Sequence, residues 1–527
     1  MKQNKKTIIL LFLMVALLAV ILSGCYKETV NDTAETTQTQ TFSTDSFSGK
    51  KIGIPTGSIF DQILLEQVPD AQIEYINTYA DLSVALDKGK IDAYVADQPV
   101  ARLMGKQYHN QVIALQLEEA SYAFMFPKGD EEHQIICNQF NEFIAKSWDD
   151  GTIEDIDSIW FGDDESKQVV DISDLDGKNG VLEMAVTTDV GAPFAYIKDG
   201  NMVGYDVDVA VRFCREYGYG LNISDYNIAG ILAATATGKA DMAASTIAIT
   251  PERLETSLMS YADYFGGIVV VTRVGQNSQE NKPIFIAIKE SFERTFIREN
   301  RWKMFLSGLA TTFMITLISM ILGSLLGFVV YLLMRRGNKI VNGIWKVFAS
   351  IMGRTPVVVI LMILYYIVFG QSNIGGAGVS IIAFTILFTC TVAELLKMGA
   401  GAVDIGQEEA ALAMGYSKRK TYLRIIFPQS INHFLPAYKS EVVSLVKATA
   451  VVGYIAVQDL TKVSDLIRAR TYEAFFPLIA TAVIYYFLTL LLTSLIQRIN
   501  IVGNPRRRDA KKILRGIKTK TIEKLEG

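Results

Sequence analysis

Histidine and cysteine are rare in this chain, which has 3 His and 4 Cys among 527 residues. The histidines lack the spacing of metal ligands, and this argues against a metal site. The sequence also lacks a phosphate-binding loop, because Gly238-Lys239 stands without the G-x-x-x-x-G-K-[ST] frame. No nucleophile stands with a base in a recognisable pattern. We therefore expect a protein that is not an enzyme and that has no cofactor or metal of its own.

The cysteines do not form a redox motif. Cys390 lies inside a long hydrophobic segment, while Cys137 and Cys214 lie in the more polar part of the chain. Two cysteines with apolar neighbours are more often buried free thiols than disulfide partners. Both alternatives remain open for Cys137 and Cys214.

The chain begins with the pattern of a secretory signal. Lysines in the first six residues precede the apolar run 7–22, which ends in Leu-Ser-Gly-Cys at 22–25. A basic start, a short apolar core and small residues before a break are typical of such signals. Cysteine after Leu-Ser-Gly resembles a bacterial lipobox, which implies lipidation of Cys25; a retained signal anchor is the alternative. Residues 26–47 are polar and Thr-rich, which predicts a flexible tether.

Long hydrophobic runs predict a membrane domain between residues 304 and 498. A bilayer is crossed by about 20 apolar residues, and five segments are close to or above this length: 306–334, 347–369, 379–396, a weaker one near 434–457, and 475–496. Gly323 and Gly327 should permit close helix packing, and Pro356 should kink or break the second span. After an outward start, five crossings leave the Lys- and Arg-rich segments inside. We expect the basic tail, 499–527, to anchor against acidic lipid rather than to bind nucleic acid.

The most specific pattern lies in one cytoplasmic loop. Residues 409–428 read EAALAMGYSKRKTYLRIIFP, with a glycine that permits a sharp reversal between two short helices. The pattern resembles the EAA loop of bacterial ABC-importer permeases; an ordinary amphipathic helix before a proline stop is the alternative. The resemblance implies that residues 404–428 dock on a separate ATPase. The residues that carry it are Glu409, Ala410, Ala411, Gly415, Ile425 and Pro428.

Residues 50–275 have the mixed pattern of an α/β domain, in which short apolar runs alternate with helix-period stretches. Segments 85–99 and 234–248 echo each other: each has a helix end, Gly-Lys-x-Asp, and a small apolar strand. We expect the glycines to end helices. We assign Asp92 and Asp241 roles in turns rather than in chemistry.

These segments resemble the two-lobed solute-binding proteins of the polar amino-acid uptake family. The matching segments are KIGIPTGS (51–58), GKIDAYVADQP (89–99), DGTIEDIDSIWFG (150–162), GAPFAYIKDGNMVGYDVD (191–208) and STIAITPER (245–253). The second-lobe segments precede those of the first lobe here. A circular permutation explains this order, with residues 163–180 joining the old termini; two separate, incomplete domains are the alternative.

The resulting fold class is multidomain, with an α/β two-lobed clamshell followed by an all-α transmembrane permease domain of about five helices. The expected boundaries are signal 1–25, tether 26–47, second lobe 48–162, connector 163–180, first lobe 181–276, amphipathic linker 277–303, permease 304–498 with coupling loop 404–428, and basic tail 499–527.

The resemblance also implies a ligand site for an amino acid in the cleft. Arg253, near a helix start, is the candidate for the ligand carboxylate, because a planar guanidinium binds it with two donors. Asp97 is the candidate for the ammonium group. Further candidates are Thr246, Ala248, Gly57, Ser58 and Phe194. In the alternative interpretation, Arg253 is a surface ion-pairing residue and Asp97 a helix cap.

The chain departs from the family at three cleft positions. Gly191 and Ile228 stand where the family usually has aromatic residues, and Ala248 stands where it has Ser or Thr. A wider pocket, another ligand or weak binding would follow.

The sequence thus predicts a fused substrate-binding and permease subunit of an ABC importer for amino acids, with a polar one expected. Its expected partners are a cytoplasmic ABC ATPase dimer that uses the ATP, a second permease subunit in a homodimer, an amino-acid-like solute and membrane lipid, but no nucleic acid. The expected location is the bacterial plasma membrane, with the clamshell outside and the tail inside. A ligand-binding receptor or sensor without transport is the alternative.

Overall fold

The computed structural model describes residues 42–107, 110–162, 164–274, 284–372, 374–471 and 475–503. The predicted signal with Cys25, most of the tether and the tail beyond residue 503 lie outside the described residues. The end of the predicted tether is structured, because Thr44–Phe47 forms a 3-10 helix in which Phe47 is buried.

The amino-terminal region alternates strands and helices. Its strands are β1 (Lys51–Pro55), β2 (Gln72–Ile76), β3 (Ala93–Asp97), β4 (Gln111–Tyr122), β5 (Met125–Phe126), β6 (Val181–Val186), β7 (Tyr196–Lys198), β8 (Asn201–Val203), β9 (Gly220–Asp225), β10 (Met242–Ala243), β11 (Leu258–Met259) and β12 (Tyr264–Arg273). Its helices are α1 (Phe60–Gln67), α2 (Tyr79–Asp87), α3 (Gln98–Gln107), α4 (Glu131–Asp149), α5 (Thr152–Trp160), α6 (Tyr205–Tyr217), α7 (Ile228–Ala236) and α8 (Pro251–Thr256).

Two five-stranded sheets form the two lobes, with the strand orders β2-β1-β3-β12-β4 and β11-β5-β10-β6-β9. We call residues 51–122 with 264–273 lobe A, and residues 125–259 lobe B. In lobe A, β12 pairs antiparallel with both β3 and β4. In lobe B, β5 pairs antiparallel with β10. The chain therefore crosses between the sheets twice, once after β4 and once before β12.

These crossings correct the predicted lobe boundaries. The segment 125–162, expected in the same lobe as β1, belongs to lobe B, where α4 packs on α6 with the ring centroids of Phe140 and Phe213 4.9 Å apart. Conversely, β12 belongs to lobe A. Each sheet includes strands from both halves of the region, because the ladder hydrogen bonds of a sheet are completed by whichever strand lies beside it. This exchange of strands excludes two separate, incomplete domains.

The repeated Gly-Lys-x-Asp segments have the predicted structural roles. Gly89 and Gly238 follow helix ends with φ values of 65° and 68°. The carboxylate of Asp92 accepts a hydrogen bond from the Lys51 amide at 2.9 Å. In lobe B, the carboxylate of Asp241 accepts one from the Glu183 amide at 2.7 Å. The two aspartates thus bind amides in the amino-terminal halves of equivalent strands, β1 and β6.

The carboxyl-terminal region is helical. After α9 (Ile284–Phe292), a π-helical turn Glu293–Ile297 and a 3-10 turn Arg298–Asn300, its helices are α10 (Trp302–Arg335), α11 (Lys339–Arg354), α12 (Val357–Met362), α13 (Gly376–Gly401), α14 (Ile405–Ala413), α15 (Lys418–Thr421), α16 (Phe427–Ala448), α17 (Leu460–Thr471) and α18 (Phe475–Gly503). Non-α turns at 363–368, 422–426 and 449–455 extend α12, α15 and α16.

By length and composition, three described helices are able to cross a membrane, and the number rises to five if each of two bent pairs is one span. The straight helices contain the first, third and fifth predicted spans. The second is not one straight helix, because the chain bends by 108° between α11 and α12. Pro356 occupies that break, as predicted, since proline disfavours the helical conformation of the residue before it. The fourth span is bent by 54° before α17.

Small residues bring α10 and α13 close together, as predicted. A Cβ placed on Gly323 would lie 2.9 Å from the Cβ of Phe388, and one on Gly327 would lie 2.8 Å from the Cβ of Val392. Larger residues would force these helices apart, because a real Cβ does not approach other carbons this closely. The contact gives the bundle a tightly packed centre.

Candidate functional site

The cleft between lobes A and B is the candidate ligand site. Lobe A contributes Ser58, Tyr79 and Asp97 to its lining, and lobe B contributes Thr246 and Arg253. The free volume of the cleft is about 40 Å³, which leaves little room between the lobes. The remaining wall is mostly apolar. It consists of Pro55, Ile59, Phe60, Val190, Ile228, Ile231, Leu232, Ile247 and Ala248, together with the polar Ser245.

Asp97, the last residue of β3, is fully buried in this cleft with 1% of its surface exposed. Its Oδ2 accepts a hydrogen bond from the Tyr79 hydroxyl at 2.8 Å, and its Oδ1 accepts one from the Tyr122 hydroxyl at 2.6 Å. Thr246 from lobe B donates a third. Burial nevertheless raises the pKa of Asp97. None of the described cations forms an ion pair with this carboxylate, so a cationic group in the cleft would stabilise it.

Arg253 lies opposite, in the first turn of α8. Its Nη1 donates to the carbonyl oxygen of Ala248 at 2.7 Å, which uses one of five guanidinium N–H donors. Burial lowers the pKa of Arg253, and the negative charge of Asp97 opposes this shift. Arg253 joins none of the ion pairs found among the described residues. Because α8 has only 6 residues, the guanidinium rather than the helix dipole supplies the positive charge.

Ser245 and Thr246 have positive φ values of 113° and 50°. Residues other than glycine rarely adopt such values, and they are concentrated at functional sites. This backbone geometry, between β10 and α8, brings the Thr246 hydroxyl to Asp97 of the other lobe. The loop therefore links the two charged groups of the cleft.

The other predicted cleft residues differ in position. Ser58 is in the lining and its hydroxyl donates to the Pro55 carbonyl at 2.8 Å. Gly57 is not among the lining residues, but an added Cβ there would be 3.6 Å from the Ala229 amide nitrogen of lobe B. The backbone of Ala248 forms a bridge with Tyr122 of lobe A.

Phe194 does not line the cleft, contrary to the prediction. It is fully buried and its ring centroid lies 5.5 Å from that of Tyr264 and 6.3 Å from that of Tyr122. Both tyrosines belong to the strands that cross between the lobes. Phe194 therefore packs against the two segments that connect the lobes, because the turn that follows β6 folds toward these strands rather than into the cleft.

The predicted coupling loop forms two short helices at the far end of the bundle. Helix α14 ends before Gly415, whose φ of 84° lets its amide donate to the Leu412 carbonyl at 2.9 Å. Glu409 and Ala410 are exposed, Ala411 is buried, Ile425 is half-buried, and Pro428 lies in the first turn of α16. Three large apolar side chains are also exposed, namely Ile405 (74%), Leu412 (37%) and Met414 (69%). An exposed apolar surface of this kind, beside a carboxylate, is typical of a protein interface.

Sequence comparison identifies the helical region. Residues 319–500 match the family described as "Binding-protein-dependent transport system inner membrane component". The chain is 33% identical over 193 residues to the arginine transport system permease protein ArtQ of Bacillus subtilis (strain 168), across 36% of this chain and 87% of that protein. It is 30% identical over 192 residues to the putative glutamine transport system permease protein GlnP of Rickettsia typhi, across 36% and 87%. The chain belongs to this permease family.

Two solved structures are similar to parts of this chain. An amino acid ABC transporter crystallised with histidines covers 42% of this chain and 98% of its own, with 29% identity and a TM-score of 0.36. A nutrient-binding protein from Burkholderia cenocepacia bound to methionine covers 44% and 87%, with 14% identity and a TM-score of 0.24.

Several residues that form specific contacts in this chain were not predicted from the sequence. Tyr79 and Tyr122, which hold Asp97, follow no recognisable spacing. Arg335, at the end of α10, donates from Nη2 to Glu408 Oε1 at 3.2 Å beside the coupling loop. Its position after a long apolar run predicts an anchor at the membrane surface but not this contact.

Proposed function

We propose that this chain is both the substrate-binding subunit and the membrane permease of an amino-acid importer, driven by a separate ATPase dimer. The observation that carries the proposal is the presence of Asp97 and Arg253 on opposite lobes of one cleft, in a chain that also has a permease domain. An α-amino acid has one ammonium and one carboxylate, and the cleft offers each of them a partner of opposite charge, the buried Asp97 and the half-buried Arg253. Bound ligand would join the lobes and favour the closed state.

The cleft wall favours a ligand with an uncharged, apolar side chain. Apart from Asp97 and Arg253, none of the described residues that line the cleft is charged, and the wall includes the side chains of Ile228, Ile231 and Leu232. A charged side chain would lose its hydration against this surface without finding a partner. We therefore replace the expectation of a polar amino acid with that of a small neutral one, such as alanine or valine.

The clamshell and the coupling loop lie at opposite ends of the permease. Lys239 of lobe B donates to the Ser372 carbonyl just before α13, whereas the coupling loop begins just after α13. At about 1.5 Å per residue, this 26-residue helix is roughly 39 Å long, which is enough to cross a bilayer. The Lys- and Arg-rich loop then belongs in the cytoplasm and the clamshell outside the cell membrane.

The exposed surface of α14 is where the ATPase would dock. One such loop per chain and a motor of two ATPase subunits require two permease chains, which we propose to be a homodimer in the bacterial plasma membrane. ATP would be used by the partner alone. The tail would contact acidic lipid.

Reconstitution of the full chain with its ATPase in liposomes tests the proposal. We expect alanine or valine to stimulate ATP hydrolysis and labelled ligand to accumulate inside, whereas arginine and glutamate should have little effect. Arg253→Lys is a matched variant that keeps the charge but loses the planar pair of donors. Ligand binding without any ATPase recruitment would instead support the receptor or sensor alternative.

A further inference from the structure

Lobe B is attached to the permease through a buried ion cluster. Lys462, in α17, has its Nζ 3.1 Å from Asp225 Oδ2 and 3.4 Å from Asp189 Oδ1. The side chains of Lys462 and Asp225 are 9% and 1% exposed. Asp225 also accepts hydrogen bonds from the amide and hydroxyl of Thr188, at 2.9 and 3.0 Å. Separating the two surfaces would leave these charges without partners until water reached them, which is strongly unfavourable.

Two further contacts join lobe B to the second span of the permease. The hydroxyls of Tyr226 and Tyr365 are 2.8 Å apart. Lys239 Nζ donates to the Ser372 carbonyl at 2.6 Å and lies 5.1 Å from the centroid of the Tyr365 ring. Lobe B therefore contacts two separate elements of the bundle, α17 and the region around 365–372. Contacts at two places resist rotation of lobe B relative to the bundle.

Lobe A meets the same helix through a more exposed pair. Asp81, in the first turn of α2, forms an ion pair with Arg468, and the two side chains are 30% and 12% exposed. Arg468 also has a partner within α17, because its Nη1 is 2.9 Å from Asp465 Oδ1. If lobe A moved away, Arg468 would keep that partner and Asp81 would be hydrated. This pair can open and close much more easily than the cluster at Lys462.

On the basis of the proposed function, we propose that lobe B stays docked on the permease of its own chain throughout transport, and that lobe A alone moves. The pair Asp81–Arg468 then forms when the cleft closes. Lys462 and Arg468 are six residues apart on one helix, or roughly 9 Å along its axis. One helix of the permease thus contacts the fixed lobe at one point and the moving lobe at the next, and so detects closure directly.

Reversible cross-linking in the full chain with its ATPase tests this proposal. The variant Tyr226→Cys/Tyr365→Cys, joined by a short, reducible bis-thiol reagent, fixes lobe B on the permease. The variant Asp81→Cys/Arg468→Cys, joined in the same way, fixes lobe A. Cys137 and Cys214 are buried free thiols rather than disulfide partners. Background reaction at these two positions is limited, because burial raises the pKa of Cys137 to about 11 and that of Cys214 to about 12, which keeps the thiols protonated.

We expect the 226–365 cross-link to form in high yield and to leave at least half of the ligand-stimulated uptake. The 81–468 cross-link should reduce uptake more than tenfold and make ATP hydrolysis independent of ligand, with recovery after reduction. A poor yield at 226–365, or loss of uptake that reduction restores, would show that lobe B leaves the permease. If substitution alone inactivates this pair, Lys239→Cys/Ser372→Cys replaces it. Absence of ligand-stimulated ATP hydrolysis in the unmodified protein would contradict the proposed function instead.

Discussion

The guanidinium of Arg335 lies 4.1 Å from the ring centroid of Tyr422. Arg335 ends α10, and Tyr422 follows α15 in the coupling loop, so the contact joins the first span to the surface on which an ATPase would dock. Glu408, 3.2 Å from the same guanidinium, attaches α14 as well. A displacement of the loop would therefore be transmitted to α10 and, through its close glycine contacts, to α13.

Replacement of Arg335 should weaken this transmission without affecting the cleft. A cation–π contact and a partly exposed ion pair together contribute about 1 kcal/mol, which corresponds to roughly a fivefold change in the equilibrium between the attached and the detached loop. We expect Arg335→Ala to lower ligand-stimulated ATP hydrolysis several-fold at unchanged ligand affinity, measured by calorimetry. Arg335→Lys should recover part of the loss. Equal stimulation in the alanine variant would show that the contact is not used.

Substitution of Gly415 should be unfavourable because of the backbone conformation at this position and not because of steric crowding. An added Cβ would meet no atom within 4 Å, but the φ of 84° is unfavourable for other residues. Gly415→Ala should destabilise the reversal by roughly 1–2 kcal/mol and reduce coupling of ATP hydrolysis to ligand. Gly415→Asn is the control, because asparagine tolerates this conformation better. Identical ATPase rates in the two variants would contradict a backbone effect.

Arg253 should contribute directly to ligand affinity. Loss of a charged hydrogen-bonded pair in the cleft costs about 2 kcal/mol, or roughly a 30-fold increase in the ligand Kd. We expect this change in Arg253→Ala by calorimetry, with a smaller one in Arg253→Lys. An unchanged Kd would exclude Arg253 as the partner of the ligand carboxylate.

Lobe B should lose stability as the pH rises through about 8. Hydrogen bonds from His133 to Asp241 and Asp130 raise the pKa of His133 to about 8. A raised pKa means that the charged histidine stabilises the fold fully below its ordinary value near 6.5, and that this contribution disappears above about 8. Hydrogen exchange at the start of α4 should therefore quicken between pH 6.5 and 8.5 beyond the intrinsic rate. His133→Asn should remove this additional pH dependence of hydrogen exchange. If the pH dependence persists in the variant, another titrating group causes it.

Local patterns predicted much of the fold. Short apolar runs such as the one at β1 form strands, the glycines at 89 and 238 follow helix ends, and Pro356 marks a sharp bend. Each of these depends on residues within a few positions, whose preferred backbone angles are independent of the rest of the chain. The predicted lobe boundaries were wrong because β5 and β12 pair with strands that are distant in sequence. The predicted position of Phe194 was wrong because its ring packs against Tyr122 and Tyr264, between the lobes, instead of lining the cleft.

By itself, the sequence determined the three long apolar helices, the reversal at Gly415 and the presence of two related α/β halves, because composition and short-range spacing encode these features directly. Only the tertiary structure decided which groups meet across the chain: Asp97 with Tyr122, Lys462 with Asp225, and Arg335 with Tyr422. Such contacts connect elements that are far apart in sequence, and their energies depend on burial that arises only after the sheets and helices have packed.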